Sequence, residues 1–249
     1  MKGMRLYAVL GLIFLAVSAL LYAVHYLIFG DLRHIFIYLL GDIAFLPLEV
    51  FLVVIVLERI LARREKQAVL YKLNMAIGAF FSEVGNALLA DLLDFFGNRD
   101  EISGRFNVQA GWTAADFKAA ADFARGLKIE VDMARMDLPA LKKFLASKRP
   151  YLLMMLENPN LLEHDRFTDL LWATTHLDEE LEARPRLSGL PKEDFAHLAG
   201  DIQRMYDHLA SEWIDHVQHL KAAYPFLFSL VLRTHPFQEN PSPVVRTPY

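Results

Sequence analysis

Imidazoles and carboxylates recur at helical spacing in two stretches of the second half of the chain. The stretch "EHDRFTDLLWATTHLDEEL" contains His176 and Glu180, and "YDHLASEWIDHVQHL" contains His208, Glu212 and His216. Residues four positions apart lie on one face of an α-helix, so each set would project from a single side. Two such helices facing each other could enclose iron, manganese or zinc, which accept imidazole and carboxylate ligands in helical bundles.

These residues also fit the solvated faces of amphipathic helices. Carboxylates normally cover the outer side of such helices, and the apolar residues beside them suit a buried side: Leu170, Leu171, Trp172, Leu177, Leu209, Trp213, Ile214 and Val217. The HxxxE spacing also differs from the Glu-x-x-His pair of di-metal bundles. We therefore expect no cofactor, and keep a bound transition metal as the alternative.

Nucleophilic catalysis finds little support in the residues. The chain contains no cysteine and no G-x-S-x-G turn, and its glycines are scattered rather than gathered into a phosphate-binding loop. The sequence therefore favours a protein without enzymatic activity.

A second set of chemically notable residues lies inside an apolar run. Asp42 and Glu49 interrupt the segment 35–57, with Pro47 between them. An Asp at the centre of an inserted helix costs about 2.5–3.5 kcal/mol, so such groups usually face protein or water. The two acids are two helical turns apart and share one face, separated by about 10 Å along the axis. Pro47 is predicted to kink this helix.

Counting outward from a turn near residues 31–32 gives these acids predicted neighbours. Asp42 comes level with Tyr22 and lies within one turn of His25, which predicts a hydrogen bond across the hairpin. Glu49 comes near Ser18 only and has no strong partner within the chain. It could be protonated, pack at a subunit interface, or line a path for ions or protons. The sequence leaves open whether the acids serve packing in an oligomer or conduction.

Two long apolar runs must position these groups. The first spans residues 6–29, or ~36 Å as a helix, which is enough to cross a hydrocarbon core of ~30 Å. The second spans residues 35–57. The first run exceeds the length of a signal-peptide core, and another apolar segment follows it directly, so an uncleaved transmembrane hairpin over residues 1–61 is predicted.

Basic residues predict the orientation of the hairpin. Arg59, Arg63, Arg64 and Lys66 follow the second run and would meet anionic headgroups. The excess of basic residues at both ends places both termini in the cytoplasm. The formal net charge of −4 gives no reason to expect nucleic acid binding.

The remainder of the chain is predicted to be helical, which makes the protein all-α. Residues 62–97 continue the second span and carry an apolar stripe from Leu70 to Phe95, predicted to contact a second copy. Residues 98–237 form a cytosolic helical domain, and the proline-rich tail 238–249 is extended or disordered.

Within the cytosolic domain, several helix boundaries can be predicted. Thr113 and Asp116 form a capping-box pattern, and Asp137 is a predicted N-cap of a helix that stops before Pro150. The stretch "GNRDEISG" is predicted to be a loop, and the longest helix of this domain is predicted from Pro191 to about Ala223.

Three stretches carry a resemblance to known proteins: "LERILARREKQAVLYKLNMAIGAFFSEVGNALL", "YLLMMLENPNLLEHDRFTDLLWATTHLDEEL" and "EWIDHVQHLKAAYPFLFSLVLRTHPF". The chain resembles a group of uncharacterised bacterial two-pass membrane proteins with a helical cytosolic domain. The resemblance covers most of the chain after the first span. It implies a bacterial inner-membrane location and carries over no activity or functional residue.

The sequence thus favours a non-enzymatic, homo-oligomeric membrane protein with a structural, sensing or regulatory role and the lipid bilayer as a partner. An oligomeric channel or proton path through Asp42 and Glu49 is the first alternative. A metal-binding helical enzyme or sensor is the second.

Overall fold

The computed structural model describes residues 2–159, 161 and 164–245, and within these the regular structure is helical. Two long helices come first, α1 (Lys2–Phe29) and α2 (Leu32–Phe80). A π-helical turn, π1 (Phe81–Gly85), and seven further helices follow: α3 (Asn86–Leu93), α4 (Arg99–Phe106), α5 (Ala114–Arg125), α6 (Leu138–Leu156), α7 (Asp165–Ala183), α8 (Lys192–Ala223) and α9 (Pro225–Thr234). The all-α prediction is confirmed.

The chain divides into two compact units, the first ending at Lys66 and the second beginning at Gln67. The division falls inside α2, whose helical conformation continues through Pro47. The first unit is a hairpin. Gly30 adopts φ +64° at its turn, where a glycine avoids the steric cost of a side chain. The Asp31 carboxylate then accepts hydrogen bonds from the backbone N–H groups of Arg33 and His34, which caps the start of α2.

The second unit is built around α8, which packs against α5, α7 and α9. Its core side chains include the fully buried Trp213 and Tyr206. The Trp213 Nε1 group donates to Asn86 Oδ1 at 3.2 Å, and the Tyr206 hydroxyl donates to the Leu89 carbonyl at 3.3 Å. These bonds satisfy the polar atoms of two large aromatic side chains inside the core.

The apolar stripe that was predicted to contact a second copy is largely used inside the second unit. Leu73, Ile77, Phe80, Val84 and Leu88 are all buried there. Leu70, the first residue of the stripe, remains exposed, as do the neighbouring Tyr71 and Met75.

Predicted ends of three helices, α5, α6 and α8, agree with the structure. The Thr113 side chain accepts from the Asp116 backbone N–H, and the Asp116 carboxylate accepts from the Thr113 backbone N–H, which completes the capping box of α5. Asp137 caps α6 by accepting from the Ala140 backbone N–H at 2.9 Å. Helix α8 begins at Lys192, one residue after the predicted start at Pro191, and ends at Ala223 as predicted.

Two local predictions are wrong. The stretch "GNRDEISG" is not a loop, because Arg99–Phe106 forms α4, whose Ile102 and Phe106 lie one turn apart and are both fully buried. Helix α6 does not stop before Pro150. Leu145 and Leu152 lie two turns apart on either side of this proline and are both buried, so tertiary packing retains the helix despite the missing N–H group.

Candidate functional site

A cavity of about 460 Å³ lies within the hairpin unit, between α1 and the first part of α2. Its lining contains four polar residues predicted from the sequence, Ser18, Tyr22, His25 and Asp42. It also contains two that were not predicted, His34 and Tyr38. The lining side chains are Ser18, Leu21, Tyr22, His25, His34, Ile35, Tyr38 and Asp42. His34 and Tyr38 precede Asp42 at intervals of four, so their shared helix face was a signal present in the sequence.

Aromatic contacts join three of the side chains that line this cavity. The rings of His25 and His34 stack with centroids 5.9 Å apart, and His34 lies 4.6 Å from Tyr38. His25 Nε2 is buried without a hydrogen-bond partner. No described hydrogen bond joins Asp42 to Tyr22 or His25, so the predicted neighbours share a cavity without direct bonding. The lining therefore offers hydrogen-bond donors and acceptors to a group inside the cavity.

Glu49 does not line this cavity. Its side chain is exposed on α2, two turns after Asp42, and it makes no hydrogen bond or ion pair with any described residue of the chain. The basic residues Arg59, Arg63, Arg64 and Lys66 follow on the same helix and are also exposed. They are available to solvent or to anionic groups outside the chain.

A second candidate site lies in the second unit, where α7 meets α8. The His176 Nε2 atom lies 3.8 Å from Glu180 Oε1 and 3.7 Å from Asp201 Oδ1. His197 Nε2 lies 3.5 Å from Glu180 Oε2 and 3.4 Å from Asp201 Oδ2. Among the described residues, His176, Glu180 and Asp201 form the group of three whose donor atoms all lie within 4.8 Å of one another. We call His176, Glu180, His197 and Asp201 the His–carboxylate cluster.

Two arginines hold the carboxylates of the His–carboxylate cluster in place. Arg184 Nη1 donates to Glu180 Oε2 at 2.6 Å, and the same guanidinium binds Asp194 through two further bonds. Arg204 Nη1 donates to Asp201 Oδ1 at 3.0 Å. The hydrogen bond from Arg184 is the main reason that the pKa of Glu180 lies below its ordinary value.

The predicted metal ligands on α8 do not join His176 and Glu180. Glu212 is buried and accepts from Arg166 Nε at 2.9 Å, while His208 approaches Asp207. The reason is the antiparallel packing of α7 and α8. Residues in the second half of α8 meet the start of α7, so the end of α7 faces the start of α8, where His197 and Asp201 lie.

His216 lines a separate cavity of about 480 Å³ in the second unit. Its lining is mainly apolar, with polar groups from Ser82, Asn86 and His219. Burial lowers the pKa of His216 to about 4, and its Nδ1 atom has no hydrogen-bond partner. The cavity borders π1, and π-helical turns inside α-helices often mark functional places.

Comparison with known proteins gives two family matches. Residues 69–233 match the model described as the C-terminal helical domain of the uncharacterized protein MJ1433, and residues 2–61 match the model for the N-terminal helical domain of MJ1433. The uncharacterized protein MJ1433 of Methanocaldococcus jannaschii is 39% identical over 240 residues, which are 96% of each chain. No solved structure matches.

Proposed function

The chain belongs to the family of the uncharacterized protein MJ1433, and from this premise we propose that it is a two-pass integral membrane protein whose hairpin anchors a cytosolic helical module. The protein acts without catalysing a reaction, as a homo-oligomer with a structural, sensing or regulatory role. Both termini lie in the cytoplasm, and the hairpin spans the cell membrane.

The apolar surface of the hairpin carries this proposal. Residues Val9–Phe29 of α1 have a mean hydropathy of 2.3, and none of the most apolar window is buried. Phe14 is 73% exposed and Leu27 is 81% exposed. Covering one such side chain contributes roughly 1.5–3 kcal/mol, so a surface made of many of them requires lipid or protein around it. The length of α1 suits a hydrocarbon core.

The polar groups of the hairpin support assembly. Glu49 is exposed on α2, which we propose to lie in lipid, and Asp42 lines the cavity between the two helices. Contact with a second copy would shield both carboxylates from lipid, and this costs less free energy than leaving them exposed to it. Leu70, Tyr71 and Met75 offer an additional exposed apolar edge for the same contact.

Fractionation and sizing test the proposal. We expect the full chain to stay in the membrane pellet after alkaline carbonate washing, and to run as a multimer in mild detergent. Glu49→Leu should preserve membrane insertion and change the multimer population, whereas Leu48→Ala, at the neighbouring position, should leave both unchanged. Release by carbonate would contradict the membrane anchor, and a monomer at all concentrations would contradict the assembly.

The hairpin cavity favours a second candidate function, an oligomeric path for protons or ions. Asp42, His25 and Tyr38 bring titratable or hydroxyl groups to one space, which suits proton transfer between carboxylate and imidazole groups. Liposomes containing the protein should then show a flux that Asp42→Asn and Glu49→Gln reduce. Equal flux in the wild type, both variants and empty liposomes would remove this candidate.

A further inference from the structure

The His–carboxylate cluster contains two imidazoles and two carboxylates on facing helices. His176 and Glu180 lie one turn apart on α7, and His197 and Asp201 lie one turn apart on α8. We propose that this cluster binds one divalent first-row transition metal ion, for which nitrogen and oxygen ligands of this kind are suited. The site lies wholly within the second unit and does not depend on the membrane location of the hairpin.

The distances in the cluster favour a shared ion over direct hydrogen bonds. The four imidazole-to-carboxylate separations run from 3.4 to 3.8 Å, whereas N–H···O hydrogen bonds usually measure 2.7–3.2 Å. Ligands that surround one ion tetrahedrally at about 2.0–2.1 Å lie about 3.3–3.4 Å from each other. For the two oxygens that bind no arginine, the separations are 3.8 Å (His176 Nε2 to Glu180 Oε1) and 3.4 Å (His197 Nε2 to Asp201 Oδ2), close to such an edge. His176, Glu180 and Asp201 bring donor atoms within 4.8 Å of one another, and His197 lies beside them.

Asp201 provides an independent observation. Its side chain is 2% exposed, and its Oδ2 atom is buried without a hydrogen-bond partner. Leaving a buried acceptor unsatisfied costs about 1–3 kcal/mol, and more for a charged group. This oxygen points toward His197 Nε2, inside the cluster. A metal ion placed among the four side chains would supply the missing partner.

The arginines leave the proposed ligand atoms available. Arg184 occupies Glu180 Oε2 and Arg204 occupies Asp201 Oδ1, while Glu180 Oε1 and Asp201 Oδ2 accept no hydrogen bond from either arginine. The two guanidinium groups thus orient the carboxylates in the way that outer hydrogen bonds orient metal ligands. With Asp194 included, three carboxylates face two arginines, so one negative charge remains for a cation to balance.

Access to the site comes from its histidine side. The side chains of His176 and His197 are 46% and 51% exposed, whereas Asp201 forms the buried floor. An ion can therefore enter the cluster from solvent.

Cobalt(II) binding to the full chain in detergent tests the proposal. After chelator treatment, we expect the wild type to take up one Co²⁺ per chain, with the visible absorption of a four- or five-coordinate ion. His176→Gln and His197→Gln should each weaken binding by more than about tenfold, since loss of even an outer partner costs 10–100-fold. Both residues are half exposed, so these variants should keep the helical circular dichroism of the wild type.

His208→Gln serves as the matched control, since His208 lies on the same helix outside the cluster. It should bind Co²⁺ as the wild type does. Asp201→Asn should abolish Co²⁺ binding. Comparison of its unfolding curve with that of the wild type shows whether the loss of binding comes from loss of the fold. Absence of Co²⁺ uptake by the folded wild type would overturn the proposal. So would an equal loss in His208→Gln and His197→Gln, because the ion would then lie elsewhere.

Discussion

His216 of α8 stacks on Phe81 of π1, with ring centroids 5.2 Å apart and ring planes 15° from parallel. Gly78 lies so close to the same imidazole that a Cβ atom on Gly78 would be 3.3 Å from His216 Cε1. Burial, with a smaller contribution from the nearby His219, lowers the pKa of this histidine to about 4. The contact between α8 and π1 therefore depends on a neutral imidazole.

Acidification should destabilise the second unit through this histidine. Unfolded His216 has an ordinary pKa of 6.5 and binds a proton at pH values where the folded side chain stays neutral. Its contribution is fully present above pH 6.5 and is lost as the pH falls to about 4, by about 3 kcal/mol. His235, whose pKa is also lowered to about 4 by burial, acts in the same direction.

Denaturant unfolding at a series of pH values measures this effect. All three tryptophans belong to the second unit, so their fluorescence reports on it. His216→Phe keeps an aromatic ring against Phe81 and should reduce the pH dependence substantially, whereas His208→Gln should not. An unchanged pH dependence in His216→Phe would assign the acid sensitivity to other groups.

Gly85 is required by the close packing of π1. A Cβ atom on Gly85 would lie 2.5 Å from Phe81 Cδ1 and 3.1 Å from Phe80 Cε1, and both rings are fully buried. We expect Gly85→Ala to lower the free energy of unfolding by about 1–3 kcal/mol, the usual cost of overpacking. Gly104→Ala in α4, where no atom lies within 4 Å, should be neutral or slightly stabilising. Equal effects of the two substitutions would refute the steric explanation.

Arg149 compensates the buried carboxylate of Asp178. Its Nη1 donates to Asp178 Oδ2 at 2.6 Å, and Asp178 is fully buried with its other oxygen unpartnered. Arg149→Met should therefore lower the unfolding free energy clearly, because the buried Asp178 carboxylate is left without its cation. Glu179→Gln, which removes only the exposed partner of the same guanidinium, should cost less than about 1 kcal/mol.

The double variant Arg149→Met, Asp178→Leu checks the reason for that loss. Removing the carboxylate together with the arginine should recover most of the stability. If the double variant were as unstable as Arg149→Met, the loss would come from packing of the arginine stem instead.

The basic residues after the second apolar run should bind anionic lipid. Each cation near a negatively charged surface contributes about 1 kcal/mol, and the binding weakens with salt. Replacing four residues by glutamine should reduce the anionic lipid that co-purifies with the protein: Arg59, Arg63, Arg64 and Lys66. A matched set of exposed cations from the second unit should not have this effect when replaced: Lys118, Lys143, Arg186 and Lys192. Equal loss in both sets would contradict a local headgroup site.

Much of the fold follows from local sequence signals, since caps and apolar periodicity involve residues only a few positions apart. The capping box at Thr113 and the cap at Asp137 were predictable for this reason. Helix α4 and the passage of α6 through Pro150 were not. In both cases side chains buried by distant parts of the chain outweigh the local preference.

The His–carboxylate cluster shows the same limit for a candidate site. Spacing along one helix correctly pairs His176 with Glu180, but it does not tell which part of α8 faces them. That choice depends on the antiparallel packing of α7 and α8, which brings His197 and Asp201 to the site and leaves Glu212 with Arg166. The short connection between the two helices was the signal that could have predicted this pairing.

The hairpin as a two-pass membrane anchor is the central claim, and labelling of single cysteines tests it most directly. The chain has no cysteine of its own, so Leu32→Cys at the hairpin turn and Ser188→Cys in the second unit provide unique sites. We predict that a membrane-impermeant maleimide labels Leu32→Cys in intact cells and labels Ser188→Cys only after lysis. Labelling of both positions only after lysis, with both proteins released by alkaline carbonate, would contradict the account.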